Sequence, residues 1–203
     1  MSFDVGLDYF EGTVQSLSKN RDASFELVEK AITAPRFEAD AVERMRQNFL
    51  LDISQKNDDP QHIAFAEWMK LALNGDPYSE VSTGTAQTVS KISAEDLKEA
   101  HHRIFNRSTL QVSVVGDIDA ATLGPLLDRV FGQLPEGAAA EIAPPLPVNG
   151  NGEVKIIPRD IPQSIIVFGH EGPKRSDPEF IAAYVMSEIL GGGSFSSRLS
   201  EEI

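Results

Sequence analysis

Residues 38–56 constrain the fold most, because they read as one long amphipathic helix with a defined stop. Val42, Met45, Phe49 and Ile53 recur at steps of three, four and four, the spacing that puts side chains on one face at 3.6 residues per turn. Asn57-Asp-Asp-Pro60 then ends the pattern, since the residue before a proline is pushed out of helical geometry. At about 100° per residue, Asp52 falls on the flank of that apolar stripe, where a carboxylate can be half-buried and face a cleft. On the residues alone, Asp52 stays open between a solvated surface acid and a functional one.

The elements around this helix follow from local signals. Residues 3–7 and 12–17 alternate apolar and polar, which predicts two strands with a tight connection. Asn20 and Asp22 offer caps for a helix carrying Phe25, Leu27, Val28, Ala31 and Ile32 that ends before Pro35. Pro60 suits the first position of a helix reaching residue 73, and Asn74-Gly-Asp-Pro-Tyr78 reads as a turn. Residues 83–89 are a loop with a short helical turn. Ser93-Ala-Glu-Asp96 matches a capping box that starts a helix running to residue 105. Residues 110–116 are the clearest strand by pattern, and Asp119 caps a helix running to residue 131.

From residue 134 to 152 the composition shifts to proline and glycine with little periodicity, which predicts a linker. Strands at 154–157 and 164–168, a helix at 177–190, a Gly191-Gly-Gly193 break and the start of another helix at 195–199 follow. The tail thus repeats the opening order of strand, strand, helix. The expectation is two similar domains: residues 1–134 as the C-terminal part of the first, 135–152 as linker, and 153–203 as the start of the second. Both ends read as cut, with Phe3 inside a strand and Ser200-Glu-Glu-Ile203 inside a helix, so a targeting segment can lie outside them.

Charge and composition narrow the chemistry. With 31 acidic against 18 basic side chains the net charge is -13, which repels nucleic-acid phosphates and anionic lipid. No nucleic-acid partner is expected. No run approaches the roughly 20 apolar residues that cross a bilayer, so no membrane insertion is expected either. The chain has no cysteine, which removes disulfides, thiolate catalysis and Cys-type zinc sites. Its four histidines, at 62, 101, 102 and 170, include no pair at the spacing of a His-x-x-Glu-His zinc helix. His101 and His102 read as ordinary helix residues and His62 as a surface one. Gly191-Gly-Gly-Ser-Phe-Ser-Ser197 lacks the lysine of a phosphate loop and follows a helix, and no Gly-x-Ser-x-Gly elbow occurs. Taken by themselves, the residues describe a catalytically silent piece of a larger two-domain protein.

Several short motifs occur together in one order: Ala34-Pro-Arg-Phe37, Val42-Glu-Arg-x-Arg46, Asp58-Asp-Pro60, Pro77-Tyr78, Gly84-Thr85, Ile92-Ser-x-Glu-Asp-Leu97, Val114-Val-Gly-Asp-Ile118 and Ile189-Leu-Gly-Gly-Gly-x-Phe-Ser-Ser-Arg-Leu199. In them the chain resembles the pitrilysin/insulinase family of zinc metallopeptidases, including bacterial homologues of the mitochondrial processing peptidase. The resemblance implies an α+β, metallohydrolase-like fold in which an antiparallel sheet is covered by helices on one side, with the start of a second similar domain. It also implies catalysis by a zinc ion held by His-x-x-Glu-His, whose Glu is the general base, with a distal Glu as third ligand. That His-bearing helix is missing from this sequence. The pattern puts Asp52 at the third-ligand position and Met45 where the family carries the Glu of an Arg-Glu pair.

Asp is one methylene shorter than Glu, which sets its oxygen back by about 1.5 Å against zinc–oxygen distances near 2.0–2.2 Å. Asp52 is therefore expected to be a degenerate ligand position without metal, and the chain to need no cofactor, zinc belonging to active relatives. Phe10, Glu11 and Gly12 stand where active members carry polar residues on the edge strand that holds extended peptide. The resemblance thus implies a bacterial non-catalytic subunit, inactive alone, that binds peptide and pairs with an active zinc-bearing homologue or with itself. The alternatives are an active zinc endopeptidase whose His-x-x-Glu-His lies upstream, and a structural subunit like the core proteins of the respiratory bc1 complex. Periplasm and cytoplasm are both left open.

Overall fold

Most helices of this chain start at a short polar side chain that accepts an N–H group the first turn leaves unpaired. The computed structural model describes residues 1–73, 75–80, 82–137, 148–149, 152–192 and 196–202. In it β1 (Ser2–Val5) and β2 (Phe10–Thr13) precede the helices α1 (Arg21–Thr33), α2 (Ala39–Asp58), α3 (Pro60–Ala72), α4 (Ala86–Val89), α5 (Ala94–Ile104), α6 (Ala120–Phe131), α7 (Phe180–Ser187) and α8 (Arg198–Glu202). Asp59 accepts from Gln61 N–H at 3.0 Å with Pro60 as the first residue of α3, and Asp119 accepts from Thr122 N–H at 2.7 Å to open α6. Asn20 precedes α1, but its side chain makes no cap bond.

The capping box at α5 is complete. Asp96 N–H donates to Ser93 Oγ at 3.2 Å, and the Asp96 carboxylate takes both the Ser93 N–H and the Ser93 hydroxyl at 2.7 Å. Those bonds from Ser93 hold the Asp96 carboxyl below its ordinary value. A depressed carboxylate stabilises the fold above its unfolded pKa and loses that contribution as pH falls through its folded one. Ser93→Ala is therefore expected to lower stability at neutral pH. In urea melts that difference should shrink as pH drops below the carboxylate range.

A line of aromatic contacts ties the hairpin to the core. β1 and β2 pair antiparallel with Phe3 opposite Gly12 and Val5 opposite Phe10, so these four share one face. Phe3 and Phe10 stand 5.6 Å apart by ring centroids, and Phe10 meets Phe105 edge-on at 5.2 Å. Phe105, just past α5, packs against the buried cluster of Ile32, Val130 and Leu134 with Phe25, Val28 and Phe131. α1 and α6 carry that cluster between them. His101 reinforces it, its ring 4.8 Å from Phe105 and its Nε2 2.7 Å from Ile32 O. The result is a helix-rich α+β unit with a small antiparallel sheet.

Several expected elements differ. The second strand lies at Phe10–Thr13, two residues before the expected 12–17, because Gly6 N–H donates to Tyr9 O at 2.9 Å and closes the turn directly after β1. Residues 110–116, 154–157 and 164–168 form no ladder among the described residues. Alternation marks a face to be covered, but a strand exists only through a hydrogen-bonded neighbour. Leu110, Val112 and Val114, the alternating apolar residues, are 37%, 45% and 41% exposed, so that face is only partly covered. The helix expected at 177–190 is shorter: α7 begins at Phe180 and runs into a π-helical turn, Glu188–Gly192. That turn takes in Gly191 and Gly192 of the expected break; most of the expected 135–152 linker, and Gly193 with residue 195, lie outside the described residues.

The apolar stripe of α2 is also turned from expectation. Ile53 is buried, but Met45 and Phe49 are 52% and 45% exposed. Contact with the end of α4 is made instead through Arg46, whose Nη1 donates to Val89 O at 2.9 Å and Ser90 O at 3.3 Å. Periodicity locates an apolar face, whereas the neighbour that a helix meets decides which residues are covered.

Candidate functional site

Met45 and Asp52 are seven residues apart, about two turns, so they lie on the same side of α2. This is the open side that also carries Phe49. Asp52 is half-exposed, and its Oδ2 pairs with Lys56 Nζ at 2.8 Å, one turn along the helix. The pairing was legible as an Asp-x-x-x-Lys spacing, which sets the two side chains side by side. It gives Asp52 a partner without any metal.

Asp52, the expected ligand position, does not fit zinc as placed. Zinc takes four ligands in tetrahedral array, three of them from the protein at a catalytic site. Among the described residues no group of three His, Cys, Asp or Glu side chains could hold a metal ion. The Asp52 carboxylate already faces the Lys56 ammonium. His101, which read as an ordinary helix residue, is committed to Ile32 O and to aromatic packing, and His102 is exposed on the next position of α5. No step through zinc follows from these residues.

The hairpin residues separate into two roles. Phe10 spends its ring on Phe3 and Phe105. Gly12 lies beneath Phe3, where a Cβ would stand 2.9 Å from the ring. Glu11 points to the opposite face and accepts from Thr13 Oγ1 at 3.3 Å. Only Glu11 of the three is free to meet a ligand through its side chain, so any peptide here would be held by the strand's backbone edge. The hairpin tip is fixed from outside by a hydrogen bond from the Tyr78 hydroxyl to Asp8, which raises the Tyr78 pKa.

A cavity of about 250 Å³, lined in part by Ile53 and by Lys56, the partner of Asp52, opens between the end of α2, α3 and the loop before α4. Its wall includes Lys56, His62, Glu67, Lys70 and Thr85. His62 is thus half-buried at a cavity where the sequence suggested open surface. Glu67 accepts from Lys155 and from Lys70, the latter at 2.7 Å, and these bonds hold its carboxyl below the ordinary value. The basic groups are each paired with an acid, so the cavity has no unopposed charge from Lys56 or Lys70.

Residues 91–203 match the family model described as the peptidase M16 inactive domain. A protein of Helicobacter pylori called non-peptidase homolog YmxG is 25% identical over 204 residues, covering 100% of this chain and 47% of its own length. An uncharacterized zinc protease of Mycobacterium tuberculosis is 30% identical over 191 residues, covering 92% of this chain and 43% of that protein. The crystal structure of a peptidase M16 inactive domain from Pseudomonas fluorescens superposes with a TM-score of 0.72 at 24% identity, over 91% of this chain and 45% of that one. It shares the fold. The chain spans about half the length of the curated relatives it matches.

Proposed function

Because this chain belongs to the peptidase M16 family and matches its inactive domain, we propose that it works as the non-catalytic partner of an active zinc-bearing M16 subunit, binding peptide without cleaving it. The observation that carries this reading is Asp52. At the position where the resemblance places a zinc ligand stands a shorter acid whose oxygen is 2.8 Å from a lysine ammonium. A ligand carboxylate must be free to coordinate, and displacing a paired cation while reaching further makes Asp52 a poor one. In this reading residues 1–134 are the end of the first peptidase-like domain, 135–152 a linker and 153–203 the start of the second. Peptide would lie along the Phe10–Gly12 edge, held by main-chain hydrogen bonds.

The test is assembly. Mixed with an M16 subunit that carries His-x-x-Glu-His from the same organism, the chain is expected to elute as a one-to-one complex and to bind an extended peptide. Elution of the two as separate monomers would count against pairing. A second reading is favoured by the mycobacterial relative, which carries the name zinc protease. In it Asp52 is a working third ligand, and the histidines come from sequence outside this chain. Metal content of the complete gene product, which would include any His-x-x-Glu-His outside this chain, separates the two, as set out below.

A further inference from the structure

Residues 149–169 meet α3 at three points, each by a different chemistry. Asn149 N–H donates to Ala72 O at 2.8 Å, satisfying a carbonyl that the helix end leaves unpaired. Lys155 Nζ pairs with the Glu67 carboxylate. Gly169 lies against the indole of Trp68, where a Cβ would stand 2.5 Å from Cζ2 and 3.3 Å from Cε2 and Cη2. Side-chain atoms do not approach at 2.5 Å, so this seat needs glycine for space and not for backbone conformation.

Little else holds this stretch. Val154, Ile156, Ile166 and Phe168 are each at least 80% exposed, so no packed core fixes it. Lys155 is about half-exposed, and an ion pair of that kind contributes little and weakens with salt. The Gly169 seat is therefore the strong contact and the Lys155 pair the releasable one.

We propose that residues 152–170 form a strap fastened across α3 at Trp68 and Glu67, and that its attachment sets the shape of the cavity lined by Lys56, His62, Glu67 and Lys70. The coupling runs through Glu67 and Lys70. Both belong to the cavity wall, and Glu67 is shared between Lys70 on its own helix and Lys155 on the strap. When the strap leaves, Glu67 keeps one cation of two and is free to turn into the cavity. A conformational change in residues 152–170 is thereby communicated to a pocket formed by α2 and α3.

Trp68 is the only tryptophan and the chain has no cysteine, which makes the test direct. Gly169→Val is expected to shift Trp68 emission to the red and to raise its quenching by acrylamide, with helix content unchanged. Raising salt to about 1 M should produce a smaller change in the same direction, because only the ion pair is screened. The His62 ring resonance, assigned with His62→Gln, should move in Gly169→Val. Independently, the double variant Glu67→Cys with Lys155→Cys should be joined by a short bismaleimide within one chain. Unchanged Trp68 quenching in a folded Gly169→Val would overturn the strap, and so would failure of the cysteine pair to cross-link, which decides the matter if Gly169→Val does not fold. A released strap with an unmoved His62 resonance would overturn the coupling to the cavity.

Discussion

Val130→Asp is expected to abolish cooperative folding of this chain. Val130 has no exposed surface and sits among Ile32, Leu134 and the rings of Phe25, Phe105 and Phe131. A carboxylate there has no cation within the cluster, since neighbouring Arg129 turns outward to Glu29 at 3.0 Å. Burying an unpaired charge costs several kcal/mol. Domains of this size are stable by only about 5–15 kcal/mol, so one such change takes most of that margin. Truncation at the same position, Val130→Ala, removes only apolar surface and should cost about 1–3 kcal/mol, leaving a foldable protein. Circular dichroism melts distinguish the two variants. A sharp transition near the wild-type midpoint in Val130→Asp would mean that α1 and α6 do not enclose this position. Loss of the cluster should also loosen the hairpin, which then keeps the Tyr78–Asp8 hydrogen bond but loses the Phe10 contact with Phe105.

The second large effect concerns activity. The 203-residue chain alone is expected to cleave peptides no faster than the uncatalysed rate, a deficit of at least about 10⁶-fold against an enzyme of ordinary power. Two requirements of the family's chemistry are absent from its residues: a His-x-x-Glu-His pair to hold the metal with the glutamate that activates water, and an uncommitted third ligand. Asp52→Glu supplies the longer acid and should still give no hydrolysis, because a single carboxylate builds no site. A rate well above background, lost on chelation, would show that this chain holds a complete centre.

How much of this was legible follows from the range of each interaction. Helix starts at Pro60, Ser93 and Asp119 were readable because a cap is complete within three or four residues. The α+β class and the family came from motif order along the chain. The strands expected at 110–116, 154–157 and 164–168 were not found as ladders, because their alternation specifies an apolar face and leaves the partner unspecified. The turned face of α2 has the same origin: Arg46 caps the carbonyls of Val89 and Ser90, 43 and 44 residues away, and no window of sequence around Arg46 contains them. For the site, Asp52 was singled out by its place on the helix flank, while its Lys56 partner was missed although the i, i+4 spacing carries it. His101 against Ile32 O and Gly169 against Trp68 were not legible, since each joins distant segments through a contact that leaves no local pattern.

The reading of this chain as a non-catalytic M16 domain rests most directly on its metal content. After purification of the complete gene product with zinc present and gel filtration into metal-free buffer, elemental analysis is expected to find far less than one zinc per chain, with no difference between wild type and Asp52→Ala. One tightly bound zinc per chain, lost in Asp52→Ala, would contradict it and make Asp52 a working ligand.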